Sequence, residues 1–218
     1  MTKGLIVDWG GVLTGSNVDP FEEWAVADDI DYPHYQSILA ELLAGTSTTE
    51  GLPNSLGSNP IHALERGEIA NPEFERLLGE RLRTNGGAPI KHEGMLARMF
   101  SQLRHAPDMN ALVLRAHVMG IPTALLSNSW GNEYPRELWA GMFDAVLISG
   151  EVGLRKPEPE IYLLAAERLG LTPEDCVFVD DLKINVRGAV AVGMVGIHHK
   201  TYELTLLELE STLGVSLS

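Results

Sequence analysis

Four short aliphatic runs in this chain each close on a polar residue: GLIVD (Gly4 to Asp8), PTALLS (Pro122 to Ser127), AVLIS (Ala145 to Ser149) and CVFVD (Cys176 to Asp180). A fifth, MVGIH, runs from Met194 to His198. Runs of this length without polar alternation read as strands buried on both faces, the pattern of a parallel sheet covered by helices. Amphipathic segments lie between the later runs. Ile161, Leu164, Ala165 and Leu169 recur at helical spacing, and Leu112, Leu114 and residues 116–118 do so more loosely. Strand and helix alternate, so the spacing predicts an α/β fold, a doubly wound parallel sheet with right-handed crossovers.

The region from Gly15 to Pro89 breaks that alternation and reads as helices joined by polar loops. The chain of 218 residues is long enough for one core and a smaller lobe. An α/β core over 1–14 and 90–218, with an inserted helical lobe over 15–89, is therefore expected. Within the lobe, His34 to Leu43 and Pro72 to Leu82 carry apolar residues at helical spacing. Asn71 before Pro72 suggests an N-cap followed by proline at the first helical position. Gly45 to Asn59, rich in Thr, Ser and Gly, is expected to be a mobile surface loop.

Charge and composition exclude several classes. The net charge of -14 repels nucleic acid and anionic lipid, and no basic stripe reverses it locally. No apolar run approaches the roughly 20 residues needed to cross a bilayer. The opening MTKGLIVDWGG is too short and wrongly flanked for a signal peptide, so a cytoplasmic protein is expected. The single cysteine, Cys176, heads an apolar run and is read as a buried structural thiol. The seven histidines form no metal-binding signature, and His198 and His199 are read as surface or packing residues. Trp24, Trp130 and Trp139 are read as core or rim.

Three of the runs end in residues that can do chemistry: Asp8, Ser127 with Asn128, and Asp180 with Asp181. In an open parallel sheet these ends share the crevice where ligands bind. DWGGVLT (Asp8 to Thr14), LLSNS (Leu125 to Ser129), GLRKPEPEIY (Gly153 to Tyr162) and VFVDDLKINVRGAVAVGM (Val177 to Met194) resemble, in order, the four motifs of the haloacid dehalogenase (HAD) superfamily. The insertion after the first motif resembles the helical cap of the subclass that includes phosphatases, phosphoglucomutases and haloacid dehalogenases.

The resemblance implies a Rossmannoid core, a small phosphorylated substrate and a magnesium ion. Asp8 would be the nucleophile, since a carboxylate attacking phosphorus replaces one hard displacement by two easier ones. Asp180 and Asp181 would repel Asp8 without an intervening cation, and hard oxygen ligands suit magnesium. By resemblance Asp8 and Asp181 are direct ligands, the Gly10 carbonyl is a third, and Asp180 supports the metal indirectly or pairs with the lysine. Lys156 would neutralise the nucleophile and the transferring group; the alternative is a solvated surface lysine. Ser127, with Asn128 beyond it, would hold phosphoryl oxygens, or Ser127 would serve as a helix cap or turn residue. Gly10 and Gly11 permit a tight turn that lets the backbone approach the substrate. Asn185 faces the site from the following helix, or else caps or packs.

One position departs from the pattern. Phosphatases resembling this chain carry a second Asp two residues after the nucleophile, where Gly10 stands. Losing a general acid/base costs roughly 10²- to 10⁴-fold in rate, about 2.7 to 5.5 kcal/mol of barrier. Good leaving groups, such as those of acyl or aryl phosphates, would still depart. A metal-independent 2-haloacid dehalogenase, for which the Asp180-Asp181 pair is ill suited, remains an alternative. So does a phosphonate hydrolase, for which Lys91 at the lobe's edge is the one candidate lysine, and so does a non-catalytic protein binding a phosphorylated ligand or partner.

Overall fold

The computed structural model describes residues 3–15, 20–44, 59–131 and 133–218. All five aliphatic runs are strands: β1 (Gly4–Val7), β2 (Thr123–Ser127), β3 (Ala145–Ile148), β4 (Cys176–Asp180) and β5 (Val195–His198). They form one sheet in the order β3-β2-β1-β4-β5, with every neighbouring pair parallel. Burial follows that order. Every residue of β1, β2 and β4 is buried, whereas the edge strands β3 and β5 expose Val146 and Val195. This is why the central runs are apolar throughout.

The chain divides into two compact units, one made of residues 16–103 with 129–133 and the other of the remainder. The first unit is helical, with α1 (Pro20–Ala27), α2 (Tyr32–Ala44), α3 (Pro60–Glu65), α4 (Asn71–Gly79) and α5 (Met95–Phe100). Its core gathers Trp24, Tyr35, Ile61, Phe74 and Leu78. The unit reaches past the expected end at residue 89 because Met95, Leu96 and Met99 of α5 are buried in that same cluster. The buried Glu75 carboxylate fixes the start of α5 by accepting the N–H groups of Gly94 and Leu96. Trp130 joins the unit as well, packing on Phe74 and donating its indole N–H to Glu65.

One local expectation changes here. Asn71 does not cap α4: Ala70 occupies the cap position, and the Asn71 amide donates instead to the Gly131 carbonyl at 2.7 Å. A long-range partner outcompetes the local cap, which sequence proximity cannot reveal. The Gly45 to Asn59 loop lies outside the described residues except for Asn59, whose side chain accepts the Ile61 N–H and caps α3.

In the second unit the sheet is flanked by α6 (Pro107–Val118), α7 (Ser149–Val152), α8 (Pro159–Arg168), α9 (Lys183–Ala191) and α10 (Tyr202–Leu213). Ile6, Ala124, Leu126, Leu147, Cys176 and Phe178 alternate along their strands, so they share one face. There they meet Ile161, Tyr162, Ala165 and Ala166 of α8 and Ala189 of α9. The intervening residues Leu5, Val7, Leu125, Val177 and Val179 are equally buried; α6 packs on β2 and α10 on β5. Cys176 is a core thiol as expected; burial pushes its pKa up to about 11. Among the described residues no helix is long and apolar enough to cross a membrane.

Candidate active site

Register assembles the site. β1 lies between β2 and β4, with Val7 level with Leu125 on one side and Val179 on the other. Asp8 continues that ladder by one residue, donating its N–H to the Val179 carbonyl at 2.9 Å. Asp8, Ser127 and Asp180 therefore stand on one carboxyl edge. Beyond Asp8 the chain turns at once: the N–H groups of Leu13 and Thr14 return to the Trp9 carbonyl. Gly11 has φ +70°, and a Cβ there would lie 2.2 Å from Asp181 Oδ2, so both backbone shape and space require glycine. Gly10 differs. It is outside the left-handed region, and a Cβ built on it meets nothing within 4 Å among the described residues.

Lys156 is not a surface lysine. Its side chain is 1% exposed, and Nζ lies 2.8 Å from Asp8 Oδ1 and 2.7 Å from Asp180 Oδ2. Asn128 fixes the backbone that carries it, donating from Nδ2 to the Lys156 carbonyl at 3.0 Å and accepting the Lys156 N–H at 2.9 Å. Asp180 is held by the Leu182 N–H at 2.8 Å and by Asn185 Nδ2, 3.1 Å from each carboxylate oxygen. Tyr162 donates its hydroxyl to the Asn185 carbonyl at 2.8 Å and so steadies the first turn of α9. Asn185 thus packs into the site rather than capping a helix.

Several contacts lay outside the sequence reading. His198 Nε2 is 2.9 Å from the Asp181 carbonyl, which places this histidine beside the site, while His199 pairs with Thr205. Ser127 Oγ is 3.0 Å from the Tyr134 hydroxyl. The Tyr134 ring meets Trp9 edge to face at 4.8 Å and leans on Trp139 at 5.6 Å. Neither Trp9 nor Tyr134 sits at a periodic position, and only the fold brings them together. Trp24 and Trp139 are buried core residues, as expected.

Burial raises the Asp8 pKa well above the usual carboxylate range; the Lys156 ammonium opposes the rise, and Asp180 and Asp181 add to it. Burial likewise pushes Asp181 up to about 6, with Asp180 adding repulsion. For Lys156, burial works against the charge, but the carboxylates of Asp180 and Asp8 outweigh it and hold the ammonium above its ordinary range. One oxygen from each of Asp8, Asp180 and Asp181 lies within 4.8 Å of the others. Three carboxylates against one ammonium leave two negative charges, the complement of a divalent cation. An all-oxygen donor set fits a hard ion such as magnesium. Asp180 is already committed to Lys156, Asn185 and Leu182, so Asp8 and Asp181 are the carboxylates best able to reach it.

Comparison with known proteins gives the family. The family model for haloacid dehalogenase-like hydrolases matches residues 2–193. Mouse acyl-CoA dehydrogenase family member 10 is 28% identical over 99% of this chain, which spans 19% of that protein. Phosphoserine phosphatase of Thermus thermophilus is 35% identical over 57% of this chain and 53% of its own length. The chain thus spans about a fifth and about half of these two relatives. Among solved structures, a HAD-family enzyme from Bacteroides thetaiotaomicron in complex with magnesium and inorganic phosphate has a TM-score of 0.61 at 23% identity. That alignment covers 92% of this chain and 95% of that one.

Proposed function

Since the chain belongs to the haloacid dehalogenase-like hydrolases, we propose that it is a magnesium-dependent phosphatase-type enzyme acting on a small phosphorylated metabolite through Asp8. The observation that carries this reading is the buried Lys156 ammonium bridging Asp8 and Asp180, with the Asp181 carboxylate alongside. A phosphatase among the relatives, and a magnesium and phosphate complex of the same fold, support it. The same cluster speaks against a metal-independent dehalogenase, because three crowded carboxylates with only the Lys156 ammonium to offset them are costly.

Asp8, with Asp181 and the Gly10 carbonyl, would hold magnesium, which when bound screens charge on the transferring phosphoryl group. Asp8 attacks phosphorus through its carboxylate; the bond to the leaving oxygen breaks and an aspartyl phosphate forms. Water then attacks that phosphorus, the phosphorus–oxygen bond to Asp8 breaks, and phosphate leaves carrying the proton of the attacking water, which restores the carboxylate. Lys156 compensates charge on both reactants, and its double pairing keeps it fixed while charge develops. Ser127 and the backbone N–H of Asn128 donate to phosphoryl oxygens, while the Gly11 N–H is turned to Thr14 Oγ1 at 3.2 Å. The side chain of Asn128 serves by placing Lys156.

Gly10 leaves the leaving-group side without the second carboxylate, so substrates with good leaving groups are favoured. The test is hydrolysis of p-nitrophenyl phosphate with magnesium. We expect turnover that chelator abolishes and that Asp8→Asn lowers by at least roughly 10³-fold, the scale of removing a nucleophile. Turnover unchanged in Asp8→Asn would overturn the assignment.

A further inference from the structure

Ser127 is the last residue of β2 and is 2% exposed, so its hydroxyl has few directions in which to act. One of them is occupied by Tyr134, whose hydroxyl lies 3.0 Å away. Tyr134 is itself wedged between two rings. Trp9, the residue that follows Asp8, meets it edge to face at 4.8 Å, and Trp139 leans on its other side at 5.6 Å. Trp139 in turn packs edge to face on Phe143 at 6.2 Å. The Trp9 backbone N–H donates to Asp8 Oδ1 at 2.7 Å. The Tyr134 phenol is therefore braced against the residue that also steadies Asp8, and it reaches the hydroxyl at the end of the neighbouring strand.

We infer that Tyr134 is a positioning residue that sets the hydrogen-bond polarity of Ser127 toward the phosphoryl group; the inference rests on the phosphatase reading above. A serine hydroxyl has one proton and two acceptor sites. When Tyr134 donates to Ser127 Oγ, the serine proton is released to point at an anionic oxygen. When Ser127 donates to Tyr134 instead, its lone pairs face the substrate and repel it. An anion selects the first arrangement, and the phenol's donation polarises the serine O–H in the same direction. No proton is transferred: Tyr134 keeps its proton and acts through Ser127.

Tyr134→Phe tests this directly, because the ring that packs on Trp9 and Trp139 is retained and only the hydroxyl is lost. With p-nitrophenyl phosphate and magnesium we expect KM and the inhibition constant for inorganic phosphate to rise about two- to tenfold, the scale of one net hydrogen bond. kcat should fall less than KM rises, and the pH profile should keep its shape. In Ser127→Ala, adding Tyr134→Phe should change neither constant further. An active wild type with unchanged phosphate inhibition in Tyr134→Phe overturns the inference alone, as does an equal effect in the presence and absence of Ser127. A loss confined to one limb of the pH profile also overturns it, by making Tyr134 a proton donor. A wild type that neither hydrolyses the ester nor is inhibited by phosphate overturns both the inference and the reading beneath it.

Discussion

The helical unit and the sheet edge of the α/β unit use the same ion-pair chemistry in opposite ways. In the helical unit Arg81 meets Glu41 at 2.6 Å with the side chains 32% and 51% exposed, and Arg83 meets Asp31 at 2.9 Å; away from its sheet edge the α/β unit has an exposed pair of the same kind, Arg136 with Glu151. In the α/β unit Lys156 sits between Asp8 and Asp180, and no side chain of the three is more than 10% exposed. Distances are alike, so distance does not decide what each pair does. Water screens the first set, and their attraction is nearly cancelled by ordering long side chains. The second set is stripped of water, so each charge depends on the others, and removing one leaves a buried charge uncompensated. The helical unit holds together through its apolar cluster; the α/β unit keeps, at its sheet edge, buried charge that is costly to unpair.

The sharpest test of that contrast is Lys156→Met, which keeps most of the side chain's length and removes its charge. Turnover should fall roughly 10²- to 10³-fold through lost electrostatic stabilisation. Folding should lose about 3–5 kcal/mol, the scale of breaking a buried pair from one side, measured as a Tm drop on the order of 10 °C. The drop should shrink as pH falls. Asp8 already titrates above its ordinary range, and without the ammonium it does so further. Its ionisation therefore costs stability at high pH, and the cost vanishes once the carboxyl is protonated. Wild-type Tm and activity in Lys156→Met would move this lysine into the same class as the surface arginines.

Gly10→Asp presses on the same edge by adding a carboxylate. Space and backbone both allow it, since Gly10 is outside the left-handed region and nothing lies within 4 Å of a Cβ there among the described residues. With magnesium, kcat/KM on alkyl phosphates should rise roughly 10- to 10²-fold, because their poor leaving groups need a proton. Aryl and acyl phosphates should gain little. A folded variant that gains on neither would show that the edge is not arranged to protonate a leaving oxygen.

A smaller effect is expected from Asp181→Asn in metal-free protein. Burial holds the Asp181 carboxyl up to about 6 in the fold, above its unfolded value. Its charge therefore opposes folding above pH 6, the cost fades as pH falls through 6, and it is absent below about pH 4. The substitution should raise Tm by a few degrees at pH 7 and leave it nearly unchanged at pH 3.5, below the unfolded value, by calorimetry in chelator. With magnesium present the sign should reverse, because the variant loses a ligand. A Tm gain that is the same at both pH values would detach the effect from ionisation.

The sheet was readable because a strand buried on both faces must be apolar at every position, and β1, β2 and β4 are. The polar residues gathered at their ends were readable for a related reason, since Asp8, Ser127 and Asp180 follow directly from where the apolar runs stop. Lys156 stands in a loop, and its place came from the motif resemblance; no local rule brings that loop to β1. Contacts of long sequence separation were harder. Met95, Leu96 and Met99 look like any core helix, and nothing local assigns them to the helical unit. Asn71 looked like a cap because its true partner, the Gly131 carbonyl, is sixty residues away. Tyr134 and His198 reach Ser127 and Asp181 only through the fold, and neither residue type is unusual where it stands.

The smallest effect is expected where the charges look best paired on paper. Arg81→Ala removes a 2.6 Å contact to Glu41 across the helical unit, shorter than either Lys156 contact. The partners remain 32% and 51% exposed, so water reaches whichever charge is left behind. The pair should contribute roughly 0.2–1 kcal/mol, a Tm change of no more than about 4 °C, and the change should shrink further in high salt, where surface charges are screened. A cycle with Glu41→Ala separates the pair from the packing of the arginine stem, because only the coupling between the two substitutions reports the charge interaction. Activity on p-nitrophenyl phosphate should stay within about twofold of wild type. If Arg81→Ala instead cost as much as Lys156→Met, exposure would not be what separates the two sets, and the buried cluster would lose its claim to be special.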